Sequence, residues 1–223
     1  MASAIDICNL ALGHLGDTAT VSSIDPPEGS AQAEHCARFY PIARDSLLEM
    51  HLWNFSVRRV ALAQVTNNWT EWTYAYMVPA DVNNIIAVLA PDAPNDYSTF
   101  VSPIDGVPFY APTVAAAMYT PQQYTVESMA DGTSILYTNQ SNAVLRYTSF
   151  ITDTTKFSPL FIVTLSWHLA SMLAGPLIKG DAGAAEAKRC QGMMTSYLTE
   201  AQMSDSNQRN IKPEHVVNWM SGR

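Results

Sequence analysis

Charged residues are scarce in this sequence. Asp, Glu, Lys and Arg make up 14% of its 223 residues, while apolar residues make up 48%. A typical globular protein carries about 25% charged residues, so we expect part of this surface to be covered by other chains. The length allows one substantial domain or two small ones.

Basic residues are scarcer than acidic residues. Twelve Lys and Arg stand against twenty Asp and Glu, which gives a net charge of −8. No Lys, Arg or His occurs from Val60 to Leu145. This balance disfavours a protein that binds nucleic acid by neutralising its phosphates, and it also disfavours binding to an anionic membrane.

Cysteine is rare as well. The three cysteines, Cys8, Cys36 and Cys190, are an odd number at wide spacing. In a chain of this length they predict free thiols in a reducing cytoplasm, because a disulfide framework needs paired cysteines in a small domain. The N-terminal residues lack the basic start of a secretory signal, so we expect no export by that route.

Catalytic signatures are missing. The sequence contains no Walker loop, GxGxxG, HExxH, GxSxG or paired CxxC. Structural zinc sites use closely spaced ligands, which is not the pattern of Cys8, His14, His35 and Cys36. We therefore expect no catalysis, no metal and no cofactor, with thiols in the core and histidines on helix surfaces.

Two residue sets in the middle of the chain leave alternatives open. The acids are Glu71, Asp81, Asp92, Asp96, Asp105, Glu127 and Asp131, and the aromatic residues are Trp53, Trp69, Trp72, Tyr74 and Tyr76. Glycosidases use two acids that face each other across a cleft, but isolated acids in such loops ordinarily form turns. The aromatic set suits stacking on sugars or bases, but aromatic strands more often belong to a core or an interface.

Both ends of the chain show helical spacing. Ser3 with Asp6 resembles a capping box and predicts a first helix over residues 3–15, ended by Gly16. A second helical pattern runs from about residue 30 to residue 53. We expect Pro41 to kink or interrupt this second helix.

A third helix is predicted to begin at Ser158-Pro159. It falls within the 22 residues from Phe157 to Ile178, which contain no Asp, Glu, Lys or Arg. A membrane span is the alternative interpretation, but polar residues and prolines interrupt the stretch and no basic cluster flanks it. A helix buried in protein on most sides is therefore expected, followed by a last helix capped by Asp181.

A narrow stripe of small and polar residues follows one side of the third helix. It consists of Thr164, His168, Ser171 and Gly175. Small side chains allow close approach of helices, so we interpret this stripe as a subunit-packing surface. Gly175-Pro176 is expected to kink or end the helix, and the apolar residues Leu165, Leu169, Met172 and Leu173 are expected to be buried.

The middle of the chain changes to short β-rich runs separated by Pro, Asn, Asp and Gly. Ala130-Asp131-Gly132 predicts one hairpin turn, and residues 139–142 predict a second. The predicted fold class is α+β. Residues 1–59 and 158–204 form a helical bundle domain, with a mainly antiparallel β domain inserted at residues 60–157.

Residues 205–223 form a polar tail that we interpret as a C-terminal docking arm. The tail is too polar to form a core, yet it keeps apolar residues that a free tail has no reason to keep. Its net charge is positive although the molecule is acidic. The expected docking residues are Arg209, Ile211, Lys212, Val216, Val217, Trp219 and Met220.

Five stretches follow one another along nearly the whole chain. They are CNLALGHLG, YPIARDSLLEMHLWNFSVRRVALA, YAYMVPADV, ILYTNQSNAVLRYTSFITDTTKFSPLF and LASMLAGPLIKGD. In this order they resemble the tail tubular protein A, or head-to-tail adaptor, family of short-tailed bacteriophages. Each stretch is a loose pattern, so the resemblance lies in the series, and it does not include the C-terminal tail.

The resemblance implies a virion structural protein, made in the host cytoplasm and located in the tail or neck. Such adaptors usually form a homo-oligomeric ring of twelve copies between the phage portal protein and the tail nozzle protein. Genome DNA passes through the channel of the ring without specific binding, and an acidic chain suits such a duct. The family brings no catalytic residues, and its C-terminal region reaches toward the portal.

Two other functions stay open. Some members of such adaptor families have been described as lytic, so a cell-wall (peptidoglycan) hydrolase associated with the phage tail is the alternative. A third possibility is an unrelated oligomeric domain whose aromatic strands recognise a ligand. Particle size separates the adaptor from monomeric alternatives, and clearing of peptidoglycan identifies a hydrolase.

Overall fold

The computed structural model describes residues 2–18, 20–91, 97–99, 117–119 and 122–208. Within these ranges the chain forms helices at its two ends and antiparallel sheets in its middle, which confirms the α+β prediction. The chain divides into a helical unit and a β unit, with the divisions after Ser56 and after Ser149. The predicted β domain covered residues 60–157. The β unit instead begins at Val57, and the helical unit resumes at Phe150.

In the described residues of the helical unit there are four α-helices. They are α1 (Ala4–His14), α2 (Ala31–Glu49), α3 (Pro159–Ile178) and α4 (Gly180–Ser206). At the start of α1 the predicted capping box is present. The Ser3 hydroxyl accepts a hydrogen bond from the Asp6 amide at 3.1 Å, and the Asp6 carboxylate accepts one from the Ser3 amide at 2.8 Å. Gly16 follows α1 with φ of 75°, as its predicted role at the helix end requires.

Helix α2 differs from its prediction in two ways. It runs through Pro41 without interruption, because Pro41 is exposed and its ring costs only the one backbone hydrogen bond to the Ala37 carbonyl. It also ends at Glu49, four residues before Trp53. The chain then turns so that Trp53 is fully buried, with its indole N–H donating to the Leu47 carbonyl at 3.0 Å.

Helix α3 begins as predicted, with the Ser158 hydroxyl accepting from the Phe161 amide at 3.3 Å and with Pro159 in the first turn. It does not end at Gly175-Pro176 but continues to Ile178. Lys179, at φ of 61°, makes the turn into α4, which begins at Gly180. Asp181 therefore lies in the first turn of α4 and does not cap it.

The core of the helical unit surrounds α3, which contacts α1, α2 and α4. Leu165, Leu169 and Leu173 are fully buried as expected, and Met172 is partly buried. Trp53 packs edge-on against Phe161 with ring centroids 5.0 Å apart. Among the described residues α3 is the one helix long and apolar enough to cross a membrane, and 44% of that stretch is buried within the chain.

The described part of the β unit contains nine short strands. They are β1 (Val57–Ala61), β2 (Ala63–Val65), β3 (Tyr74–Met77), β4 (Val82–Leu89), β5 (Tyr97–Thr99), β6 (Ala117–Tyr119), β7 (Tyr124–Ser128), β8 (Ser134–Thr138) and β9 (Val144–Ser149). They form a three-stranded sheet in the order β1-β9-β4, a four-stranded sheet in the order β2-β3-β8-β7, and the pair β5-β6. Every pairing is antiparallel.

The two larger sheets share one core. Leu145 and Val88 of the three-stranded sheet are buried in the same cluster as Tyr76 and Leu136 of the four-stranded sheet. The predicted turn at residues 130–132 joins β7 to β8 as a hairpin, with Gly132 at φ of 84°. The turn at residues 139–142 is present but is not a hairpin, because β8 and β9 pair with strands of different sheets.

Candidate interaction surfaces

The predicted stripe on α3 lies largely inside the helical unit. Thr164 is fully buried and donates its hydroxyl to the Leu160 carbonyl at 2.8 Å. His168 is 9% exposed, and its Nε2 lies 2.9 Å from the Ser46 hydroxyl of α2. These two side chains pack within the chain, which corrects their assignment to a surface between subunits. Ser171 is half-buried and Gly175 is exposed, so for these two the assignment stays a prediction.

A close helix approach occurs between α3 and α4, where Gly183 of α4 lies against Gly175 of the stripe. Gly183 is buried, and a Cβ at this position would lie 3.0 Å from the Ala174 carbonyl oxygen and 3.6 Å from the Gly175 Cα. A larger residue would therefore push the two helices apart. The contact joins consecutive helices of one chain, so glycine is needed for folding of the unit.

The three cysteines belong to the core of the helical unit. All three cysteines are buried free thiols. A hydrogen bond with Cys36, together with burial, raises the pKa of the Cys8 thiol, so Cys8 stays protonated. Within the described ranges, no group of three or more His, Cys, Asp and Glu side chains is placed to hold a metal ion.

His14 belongs to a stacked group at the end of α1. Its ring lies parallel to that of Trp167, with centroids 3.6 Å apart, and its Nε2 lies 3.0 Å from the Ser166 hydroxyl. The guanidinium of Arg189 lies 5.3 Å from the centre of the Trp167 ring and donates to the His14 carbonyl at 2.9 Å. Glu186 pairs with Arg189. The group thus fixes the end of α1 to α3 and α4.

His168, which is buried, and His14, which is partly buried, are expected to make the protein less stable in mild acid. Burial lowers the pKa of His168, and burial together with the Arg189 charge lowers the pKa of His14. The unfolded chain then binds more protons than the folded chain below about pH 6.5, the ordinary pKa of histidine. The free energy of unfolding should therefore fall as the pH is lowered from 7.5 to 5.5.

Urea unfolding at the two pH values measures this effect. His168→Gln keeps an amide that can bond Ser46 and removes the titrating ring, so its stability should fall less between pH 7.5 and 5.5. His35→Gln is the matched control, because His35 lies on α2 away from both contacts. An equal fall in stability for the wild type and His168→Gln would contradict the assignment.

The aromatic set does not form a common surface. Trp53 is buried in the helical unit, while Tyr76 is buried between the sheets of the β unit. Trp72 packs on the opposite face of the four-stranded sheet, against Ala75 and Tyr137. Trp69 is exposed. Trp53, Tyr76 and Trp72 therefore pack in three different clusters, and the set as a whole does not form a shared ligand platform.

The described acids of the middle segment act in turns and ion pairs. Asp81 accepts from Arg58 Nη1 at 2.7 Å and from the Tyr147 hydroxyl at 3.1 Å. Asp131 accepts from the Thr133 amide at 2.9 Å, in the turn between β7 and β8. Glu71 and Glu127 are exposed. Asp92, Asp96 and Asp105 lie outside the described residues.

An open cleft separates the edge strands β4 and β7. It has a volume of about 900 Å³ and opens into the core between the two larger sheets. At one end the two edges are joined by a hydrogen bond from the Gln122 amide to the Val88 carbonyl, at 3.0 Å. Beyond this point β4 and β7 are not paired with each other. We call this opening the β cleft.

Apolar side chains line the β cleft from both sheets. Val60 and Ile85 belong to the three-stranded sheet, and Tyr124 and Val126 belong to β7 of the four-stranded sheet. Val126 stands opposite Leu136 in the register, so it faces the shared core, yet it is 40% exposed. An exposed groove of this kind is typical of a binding surface for another apolar group.

The last helix is fastened at its end by a buried acid. Asp205 is 5% exposed, and its carboxylate accepts hydrogen bonds from the Asn54 amide at 3.0 Å and from the Asn54 side chain at 3.0 Å. His51 Nε2 lies 3.4 Å from the same carboxylate. Asp205 therefore belongs to the helical unit and not to the arm. The predicted docking residues, from Arg209 onward, lie outside the described residues.

Sequence reasoning missed the β cleft and the Asp205 contacts. A signal for Asp205 was present, since it continues the spacing of Met194, Leu198 and Ala201 on the inner face of α4. No local signal marks the cleft, because it depends on which strands become sheet edges.

No protein-family model matches this chain, and no curated protein matches it either.

Proposed function

We propose that this chain is a subunit of a head-to-tail adaptor ring in a short-tailed bacteriophage, joining the portal to the tail nozzle and surrounding part of the DNA ejection channel. The proposal rests first on the ordered series of five stretches that resemble this family. It places the protein in the tail or neck of the virion, after synthesis in the host cytoplasm.

Exposed apolar side chains are the structural observation that supports the proposal. The helical unit exposes Leu10, Ile42, Met50, Leu52, Ile178 and Met203, and the β unit exposes Trp69, Met77, Tyr124, Val126 and Met129. Single exposed apolar residues are normal, but this number on a chain with only 14% charged residues indicates several surfaces for other chains. A ring subunit has such surfaces, toward two lateral neighbours and two axial partners.

The charge of the β unit suits a channel for DNA. No Lys, Arg or His occurs from residue 60 to residue 145, and three of the four described acids there, Glu71, Glu127 and Asp131, are exposed. Carboxylates repel phosphates over about 8 Å at physiological salt. A ring lined by this segment would let DNA pass without holding it.

Negative-stain imaging and mass measurement of the purified protein test the proposal. We expect ring-shaped particles, either alone or after mixing with the portal protein of the same phage. Twelve copies is the expected number. A protein that stays monomeric at 24.4 kDa in both samples and does not bind the portal would overturn the proposal.

The arm provides a second test of the same proposal. Deleting residues 209–223 leaves α4 and the Asp205 contacts intact, so the stability of the helical unit should change little. Attachment to portal-bearing capsids should be lost, and Trp219→Ala should cause much of that loss because large aromatic anchors dominate such contacts. Normal attachment by the truncated protein would exclude the arm as the portal-binding element.

Purified protein is expected to clear no peptidoglycan in a zymogram. Asp81 is already held by Arg58 and the Tyr147 hydroxyl, and burial together with the Asp81 carboxylate raises the pKa of Tyr147, so it stays a hydrogen-bond donor. A clear zone that disappears in Asp81→Asn or Glu71→Gln would favour the hydrolase. Arg58→Ala is the control for effects on folding alone.

A further inference from the structure

The β cleft leaves part of a hydrophobic core uncovered. Val126 faces the same core as the fully buried Leu136, and Tyr124 precedes it on the same face of β7. Both are substantially exposed, at 40% and 37%. Burying apolar surface is favourable by about 25 cal/mol per Å². An apolar segment that enters the cleft would complete this core.

Polar features of the cleft point to a polypeptide segment. The side-chain nitrogen of Asn83 lines the cleft and is buried with no hydrogen-bond partner among the described residues. A buried amide N–H without an acceptor is costly, so an incoming backbone carbonyl would be a favourable partner. β7 is an edge strand of its sheet in the described part of the chain, and such edges accept extended segments.

The charge around the cleft selects a basic segment. The lining residues include no charged side chain, and the acids Asp81, Glu127 and Asp131 and the base Arg59 directly adjoin lining residues in the sequence. Asp81 is paired with Arg58, so two further acids stand against one base and the surroundings of the cleft are net acidic. A segment with apolar residues and a net positive charge is complementary to this surface.

Residues 209–223 have this composition. They carry Arg209, Lys212 and Arg223 against the single acid Glu214, together with four large apolar residues after Lys212. Those apolar residues are Val216, Val217, Trp219 and Met220. Among the parts of the chain outside the described ranges, residues 209–223 combine apolar residues with a net positive charge, which are the two properties that the β cleft requires.

The length of the chain allows the contact within one molecule. Asp205, three residues before Gln208, bonds Asn54, and Asn54 is six residues from the cleft residue Val60. Six residues span at most about 20 Å, while the eleven residues from Gln208 to Trp219 reach about 37 Å. Trp219 can therefore reach the cleft of its own chain.

We infer that the β cleft is the docking site of the chain's own residues 209–223, with Trp219 packed against Val126 and Tyr124. The inference deepens the proposed function, because it gives the portal-docking arm a position in the free protein, and it rests on that function only for the role of the arm in portal binding. Binding to the portal then requires residues 209–223 to leave the β cleft, so the portal and the cleft compete for the same segment.

Photo-crosslinking of the full-length protein tests this contact. With p-benzoylphenylalanine at position 219, irradiation should join this position to residues 77–85 or 122–134 of the same chain. Mass spectrometry identifies the linked peptides, and a denaturing gel separates links within one chain from links between chains. Val126→Asp should abolish the link. Thr125→Asp is the matched control, because it adds the same charge on the opposite face of the same strand, and it should keep the link.

Hydrogen exchange provides a measurement that needs no crosslinker. In Trp219→Ala, amides of residues 122–128 should exchange about tenfold faster than in the wild type, because the strand loses its cover. Links from position 219 only to other parts of the chain, links only between chains, or no links together with unchanged exchange would each overturn the inference. These outcomes do not depend on ring formation or portal attachment, so they are distinct from a failure of the proposed function.

Discussion

Replacing Leu169 with aspartate is expected to unfold the helical unit. Leu169 lies at the middle of α3 and is fully buried among side chains of the core that surrounds this helix. The substitution removes a buried apolar side chain and places a carboxylate where the core cluster consists of apolar side chains. The combined cost is about 4 kcal/mol or more, which approaches the whole stability of a typical domain.

Circular dichroism during urea unfolding measures this loss. Leu169→Ala should show an intermediate cost of about 2–5 kcal/mol, because it leaves a cavity without a charge. Leu10→Asp is the matched control. Leu10 lies on α1 and is 44% exposed, so the same substitution there should cost less than about 1 kcal/mol. A folded Leu169→Asp protein with wild-type stability would show that α3 is not the centre of the core.

Local signals in the sequence predicted the helix starts and the fold class. Ser3 with Asp6, and Ser158 with Pro159, begin helices because capping depends on residues only three positions apart. The change from helical to alternating spacing likewise predicted the β-rich middle. These features form within one or two turns of chain, so a short window of sequence contains their cause.

Features that depend on distant residues were predicted less well. Pro41 and Gly175-Pro176 were expected to kink or end their helices. Both helices continue past these residues, because packing of α2 and α3 in a common core outweighs the loss of single hydrogen bonds. The turn at residues 139–142 was taken for a hairpin turn, but β9 pairs with β1 and β4. Pairing across this distance is set by the core between the sheets, which no local pattern encodes.

The interaction surfaces show the same limit. The stripe on α3 follows from the spacing of its residues, but the sequence did not show that Thr164 is buried or that His168 contacts Ser46 of α2. The β cleft arises because, among the described residues, β4 and β7 are joined only near Val88 and Gln122. Such an opening follows from the topology of the whole unit. The sequence therefore predicts the architecture better than it predicts the surfaces on which function depends.

Asp205→Ala is expected to cause the second large loss of stability. The Asn54 backbone N–H lies 3.0 and 3.2 Å from the two carboxylate oxygens of Asp205, and the Asn54 side chain donates to the carboxylate at 3.0 Å. Removal of the carboxylate leaves the backbone N–H without its acceptor, while the Asn54 side chain keeps its bond to the Asp205 carbonyl oxygen. The loss loosens the last turn of α4, at a cost of about 2–3 kcal/mol. Asp205→Asn keeps one acceptor oxygen and should lose about half as much.

Double-mutant analysis separates this contact from a general effect on the helix. Asn54→Ala removes the side-chain donor and leaves the backbone amide, so its cost should be smaller than that of Asp205→Ala, and the two costs should not add in the double mutant. Asp181→Ala is the control, because Asp181 is an exposed acid in the first turn of the same helix and should cost less than about 1 kcal/mol. If Asp205→Ala is no more harmful than Asp181→Ala in urea unfolding, the carboxylate does not fasten α4. Additive costs for Asp205→Ala and Asn54→Ala would likewise show that the two residues act independently.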